Sequence, residues 1–222
     1  MSGFDRPALL RTLEQGSAEM QLALTERQSG QLLDYLALLH KWNGVYNLTA
    51  VRDPAQMVTQ HLLDSLAVVP AFADAMNVLD VGAGGGLPGM VLAIARPDMQ
   101  VAMVDTVHKK TAFLTQAKAE LGLGNVTIHT AHVEQLKVPR KFDVITSRAF
   151  AELADFVTWS AHLLEEGGRF IAMKGILPKD EIARLPQEWR VLEVHPLAVP
   201  GLKAERHLVF IEATEKAEGS RP

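Results

Sequence analysis

Val78-Leu-Asp-Val-Gly-Ala-Gly-Gly-Gly-Leu-Pro-Gly89 decides how the rest of the chain is read. A short apolar run enters a loop with glycines at 82, 84, 85, 86 and 89, and an apolar helical segment over 87–95 follows. Glycine lets a backbone turn sharply and lets a ligand approach without meeting a Cβ. The start of a helix adds unpaired amide groups. Strand, glycine loop and helix in that order make a site for an adenosine-bearing cofactor, dinucleotide or otherwise. Gly84-x-Gly86-x-x-Gly89 formally satisfies the dinucleotide fingerprint, which is a weak signal when it stands alone.

Outward from the loop, the chain alternates. Apolar runs at 78–81, 101–104, 126–130, 142–146 and 170–173 are spaced by helical segments at 87–95, 107–121 and 150–164. Strands at this spacing imply βαβ crossovers and a parallel sheet with helices on both faces. The runs at 189–199 and 207–211 lack a full crossover helix between them and are joined through Pro200-Gly201, so a hairpin is expected to close the sheet edge. Upstream, residues 1–75 read as helical. Thr25-x-x-Gln28 is a capping-box pattern ahead of Leu32, Leu36 and Leu39, and Asp53-Pro54 opens a helix through Val58, Leu62 and Leu66. Asn43-Gly44 and Asn47 read as turn chemistry between the two helices. The expected organisation is an N-terminal helical extension over 1–75, a cofactor-binding core over 76–213 and a flexible tail over 214–222.

Composition bounds the chemistry. The 222 residues contain no cysteine, which removes disulfides, thiolate-ligated metals and every thiolate nucleophile. The 22 Lys and Arg against 26 Asp and Glu give a formal charge of −4, which argues against a general polyanion binder but leaves room for a local basic patch. Residues 1–16 carry Asp5, Arg6, Arg11 and Glu14 in place of a secretory pattern, and Asp64 and Asp74 interrupt the best apolar stretch. The expectation is a cytoplasmic protein with no membrane partner. Its eight histidines form no metal-ligand spacing, since His129 and His132 lie at a strand end and no HExxH pattern occurs.

Three features favour S-adenosylmethionine (SAM) over a nicotinamide or flavin cofactor. Asp80 precedes the loop, where its charge would repel a pyrophosphate and attract a sulfonium with an ammonium group. Pro88 follows the loop closely, and a long helical region precedes the first strand. Asp105 ends the second strand, from which a carboxylate can reach a ribose diol beyond the strand ends. Glu134 follows the third strand, and Arg148 the fourth, where a guanidinium can hold a carboxylate or phosphate. His61 and Asp64 share a helix face and read as a structural hydrogen-bonded pair.

Absences narrow the acceptor. Without cysteine, pyrimidine carbon-5 methylation through a thioether cannot operate. Thr146-Ser-Arg-Ala149 is not the Asn/Asp-Pro-Pro-aromatic pattern that orients an exocyclic amine. Acceptors already nucleophilic at neutral pH remain, guanine N7 among them, and these need alignment and no general base. A small-molecule methyltransferase and a non-catalytic RNA-binding assembly factor stay open as alternatives.

At this point the residues resemble a known family. Trp42 with Asn47-Leu-Thr49, His61-x-x-Asp64-Ser65-Leu66, the Asp80 to Gly89 loop ending Gly-Leu-Pro-Gly, and Asp105 with Lys109-Lys110 run in the family's order. Ser147-Arg148-Ala149, Lys174-Gly175 and Glu205-Arg206-His207-Leu208 continue it. The chain is similar over essentially its full length to the RsmG (GidB) family of bacterial 16S ribosomal RNA guanine-N7 methyltransferases.

The resemblance implies a class I SAM-dependent methyltransferase (Rossmann-like) fold, mostly parallel and seven-stranded with a C-terminal antiparallel strand. It implies SAM contacts at Gly82, Leu87, Val133, Glu134 and Arg148, beside Gly84 and Asp105 from the residues' own reading. It places Lys109, Lys174 and Arg206 toward RNA, with Arg148 and Lys174 as groups that could orient the target base. The implied partner is 16S ribosomal RNA or the small-subunit particle, met by a monomer without metal. One departure stands out: the family often has Arg before the Val/Ala-Glu pair, and this chain has His132, which carries less charge at neutral pH.

Overall fold

The computed structural model describes residues 3–214. The tail expected over 214–222 lies outside these residues except for Thr214, whose amide donates to the Glu188 carbonyl at 2.9 Å.

Two helices open the chain, α1 (Arg6–Glu19) and α2 (Glu26–Tyr46). Asp5 caps the first through the Ala8 amide. The second starts in a complete capping box, with Thr25 accepting from Gln28 N–H and the Gln28 side chain accepting from Thr25 N–H. It ends later than expected. Asn43-Gly44 is not a turn: α2 runs through Tyr46 and stops at Asn47, which takes the left-handed conformation. Asn43 is buried and uses its amide at a distance, accepting from Thr49 N–H at 2.9 Å and donating to Val51 O at 3.1 Å. Its turn-forming side chain therefore braces the following loop from inside a helix.

Asp53 caps α3 (Pro54–Met57), as Asp53-Pro54 predicts, with Pro54 in the first turn. The helix then widens into a π-helical stretch, Val58–Leu63, before α4 (Asp64–Leu66). Wide turns of this kind re-aim side chains and recur at functional sites.

The sheet has seven strands: β1 (Asn77–Val81), β2 (Gln100–Asp105), β3 (Val126–Thr130), β4 (Phe142–Arg148), β5 (Leu164–Lys174), β6 (Trp189–Pro196) and β7 (His207–Ala213). Between them run α5 (Gly89–Ala95), α6 (His108–Leu121), α7 (Leu153–Ser160) and α8 (Lys179–Ala183). Their order is β3-β2-β1-β4-β5-β7-β6. The first five are parallel, and β7 inserts antiparallel between β5 and β6. The expected hairpin therefore exists, with β6 on the edge.

Alternation along the strands sends Val78 and Val101 to one face and Leu79 and Ala102 to the other. On the first face the core is continuous from Leu13, Leu32 and Leu36 through Leu62 to Leu92 and Phe113. The N-terminal helices are thus part of the layer that covers the sheet. Phe156 and Val157 of α7 cover the second face. Deleting one such buried side chain typically costs about 2–5 kcal/mol.

Candidate active site

In a parallel sheet the loops that leave the strand ends gather on one edge, and a crevice opens where the strand order reverses. Here the reversal falls between β1 and β4. The loop after β1, the ends of β2, β4 and β5, and the turn after β3 therefore converge. They frame two adjoining clefts of about 570 and 410 Å³. Both volumes fall in the range of small-molecule sites. The clefts share Gly82, Lys110 and Ala149, which sit at their junction.

The glycine loop is held from three sides. Gly82 and Ala83 donate to the Val104 carbonyl at 2.9 and 3.1 Å, stitching the loop to β2. Gly84 N–H donates to Asp105 Oδ2 at 3.0 Å. Tyr35 of α2, wholly buried, donates its hydroxyl to the Gly85 carbonyl at 2.5 Å, and burial pushes its phenol far above the usual value. Gly82 has φ +67, and a Cβ there would lie 2.3 Å from the Phe150 ring. Both the turn and the close aromatic contact require glycine at this position.

Asp80 serves the loop from behind. The carboxylate expected to face a cationic cofactor is fully buried, with Oδ2 accepting from Gly89 N–H at 2.9 Å and Oδ1 without a partner. A Cβ on Gly89 would stand 2.8 Å from that same oxygen, so glycine allows the contact. Burial pushes the carboxyl up to about 7 against the opposing pull of the Gly89 bond and of Arg148. Asp80 thus anchors the start of α5 and does not line either cleft.

Asp105 is also turned largely onto backbone. Its Oδ1 accepts from Val107 N–H at 2.8 Å, while Oδ2 takes Gly84 N–H and lies 3.4 Å from Lys110 Nζ. It nevertheless borders the smaller cleft together with His132, Val133 and Glu134. Val133 is buried, whereas His132 and Glu134 are exposed. Phe150 and Trp159 close that cleft on the far side.

The larger cleft gathers the cations. Gly84, Leu87, Lys110, Arg148, Lys174 and Arg206 line it, and His61 and Asp64 face them from the π-helical segment and α4. Lys174 Nζ donates to Ala151 O at 2.9 Å and pairs with Glu181 at 2.7 Å. Lys109, expected toward RNA, is exposed and borders neither cleft; its neighbour Lys110 borders both. On a helix, adjacent residues diverge, so only one of the pair can face inward.

His61 and Asp64 do not bond each other. His61 Nε2 meets Thr49 Oγ1 at 2.8 Å and leaves Nδ1 unpaired, and burial lowers the pKa of the ring. Asp64 instead bridges two arginines, accepting from Arg148 at 2.9 Å and from Arg206 at 2.7 Å. Among the described residues, no group of three or more His, Asp or Glu is arranged to hold a metal ion.

The residues present fit SAM. A Cβ on Gly84 would meet nothing closer than 3.8 Å, so the missing side chain leaves that space to the cleft. Asp105 and Glu134 border the smaller cleft, whereas Arg148 and Arg206 border the larger one. Fold, glycine loop and switch-point cleft together define a SAM-dependent methyltransferase of class I. A similar fold occurs in TrmN from Thermus thermophilus (TM-score 0.54, 20% identity, 71% of this chain and 53% of that one). It also occurs in a SAM-dependent methyltransferase from Thiobacillus denitrificans solved with S-adenosylhomocysteine (TM-score 0.51, 14% identity, 68% and 90%). At those identities the likeness is one of fold.

Sequence narrows the class further. Residues 28–209 match the family described as GidB, rRNA small subunit methyltransferase G, and the chain belongs to that family. Proteins named ribosomal RNA small subunit methyltransferase G are 68% identical over 216 residues in Herminiimonas arsenicoxydans (96% of this chain, 99% of that one) and 66% identical over 218 residues in a Janthinobacterium strain (96% and 99%).

Proposed function

We propose that this protein transfers the methyl group of SAM to N7 of one loop guanine in 16S ribosomal RNA, as a cytoplasmic monomer acting on the RNA or on a small-subunit particle. The observation that carries the reading is the sharing of one strand-end crevice by the cofactor loop and a cluster of cations. Family membership supplies the substrate class.

In this reading the adenosine half of SAM occupies the smaller cleft. Gly82 sits where that cleft meets the larger one, into which Gly84 and Leu87 carry the cofactor's remaining half. Val133 and Glu134 form the wall beside the adenosine, and Asp105 orders the loop and offers its remaining lone pairs to a ribose hydroxyl. His132 borders the same wall. Bound SAM supplies an electrophilic methyl on a sulfonium, and the guanine N7 lone pair displaces the thioether as positive charge passes to the base.

No residue has to remove a proton. The protein's contribution is alignment, which can account for several kcal/mol of barrier. Arg148 and Lys174 border the larger cleft and orient the target, and Arg206 holds an adjacent phosphate. Lys109 is exposed and borders neither cleft, which suits it to the outer backbone of the RNA. A charged rim inside an acidic protein favours one structured RNA over polyanions in general.

The test is methyl transfer from labelled SAM to 16S RNA and to small-subunit particles from cells lacking the mark, with the product mapped. A single N7-methylguanosine supports the reading. Protein that binds SAM yet labels neither substrate refutes it.

A further inference from the structure

Among the described residues, Asp64 is the one carboxylate that lines the large cleft, at 1% side-chain exposure, and it touches two cations from distant parts of the chain. Oδ2 accepts from Arg148, at the end of β4, and Oδ1 from Nε of Arg206, in the loop before β7. Arg148 donates to the Gln60 carbonyl at 3.2 Å, one turn before Asp64, and Arg206 donates to the Glu205 carbonyl at 2.8 Å. Each guanidinium is thereby fixed in position. Each also remains partly open, at 22% and 25% exposure, with N–H groups left over.

Two guanidiniums around one carboxylate keep a net charge of +1 and a fixed spacing. Without the carboxylate they would repel one another, and two long side chains would regain their rotamer freedom. The cost of burying Asp64 is met by these two charge-assisted hydrogen bonds, which suit a role in pre-organisation better than one in stability.

We propose that Asp64 is a positioning residue for methyl transfer: it clamps Arg148 and Arg206 so that their free N–H groups present a pre-formed donor pair to the target nucleotide. The N-terminal helical segment therefore supplies part of the substrate site, though Asp64 itself is too buried to touch substrate. The inference rests on the RNA-methylation reading above and adds to it the part that holds the arginines.

The test uses the full-length chain and compares wild type with Asp64→Asn, Asp64→Glu, Arg206→Ala and the double variant Asp64→Asn/Arg206→Ala. Readouts are kcat and KM on unmethylated small-subunit particles, S-adenosylhomocysteine affinity and the thermal midpoint. Misplacement of an orienting group by an ångström costs about 100-fold in rate. Asp64→Asn should lower kcat by about that factor, Asp64→Glu should restore much of it, and Arg206→Ala should cost far less in the Asn background than in wild type.

Several results would overturn the proposal. One is an Asn variant as active as wild type; another is a loss simply additive with Arg206→Ala. A third is a loss that follows the melting of the protein and disappears at temperatures where the variant is folded. If wild type itself leaves particles unlabelled, the RNA-methylation reading fails, a result separate from equal labelling by wild type and variant.

Discussion

Gly82→Ala combines two separable penalties, and a second substitution can remove one of them. The backbone at Gly82 has φ +67, a conformation that costs a residue with a Cβ about 1–2 kcal/mol. The added methyl would lie 2.3 Å from Phe150 Cδ2, against the separation of about 3.5 Å that carbon atoms prefer. The ring would therefore have to retreat by about 1 Å, and overpacking of this kind costs about 1–3 kcal/mol. Phe150 is not free to move at will, since it meets Phe156 and Trp159 edge-on with ring centroids 6.5 and 5.9 Å away.

The sum for Gly82→Ala is about 2–5 kcal/mol, which at this chain length lowers the thermal midpoint by roughly 2–4 °C per kcal/mol. In a Phe150→Ala background the overlap is gone and only the backbone penalty remains. The two substitutions should therefore be non-additive by about 1–3 kcal/mol in the favourable direction. Denaturant unfolding of the four proteins measures this directly, and S-adenosylhomocysteine titration shows whether affinity follows. A Gly82→Ala cost that is the same in both backgrounds would refute the steric argument. A cost near zero in wild type would refute the left-handed backbone as well.

Asp80→Asn keeps an acceptor for Gly89 N–H but removes the titration. Because burial raises the folded-state carboxyl from 3.8 to about 7, wild type binds more protons folded than unfolded in that interval and loses stability as pH rises through it. The variant should therefore gain on wild type between pH 4 and pH 8 by up to a few kcal/mol, at about 1.4 kcal/mol per unit; unfolding curves with parallel pH dependence would contradict this. Tyr35→Phe leaves the Gly85 carbonyl without its buried donor, so stability should fall by about 1–3 kcal/mol and the KM for SAM should rise, as steady-state kinetics would measure. Lys110→Ala should weaken S-adenosylhomocysteine binding in calorimetry, while Lys109→Ala leaves it unchanged, because only Lys110 borders the clefts and approaches Asp105.

What the chain reveals locally and what it hides can be separated residue by residue. The five parallel strands were legible because each is a short apolar run between turn signals, and the glycine loop because its residue type answers to backbone geometry. Asp80 and Asp105 were legible as strand-end acids, yet not in direction. A strand-end side chain can face the ligand or the loop backbone, and here the demand of Gly84, Val107 and Gly89 for acceptors settles it. Asn43-Gly44 misled because a buried Asn can serve a neighbouring loop as well as its own turn. Asp64 was visible only as half of a His61 pair, since its partners lie 84 and 142 residues away and no local pattern records them. The same holds for Tyr35, which reaches Gly85 across 50 residues. The cofactor half of the crevice is therefore written mostly in one contiguous motif, whereas the acceptor half is assembled from four separated segments whose charges make sense only when folded. It follows that substitutions in the N-terminal helices should harm the acceptor side as readily as the cofactor loop, although none of those residues belongs to the glycine motif.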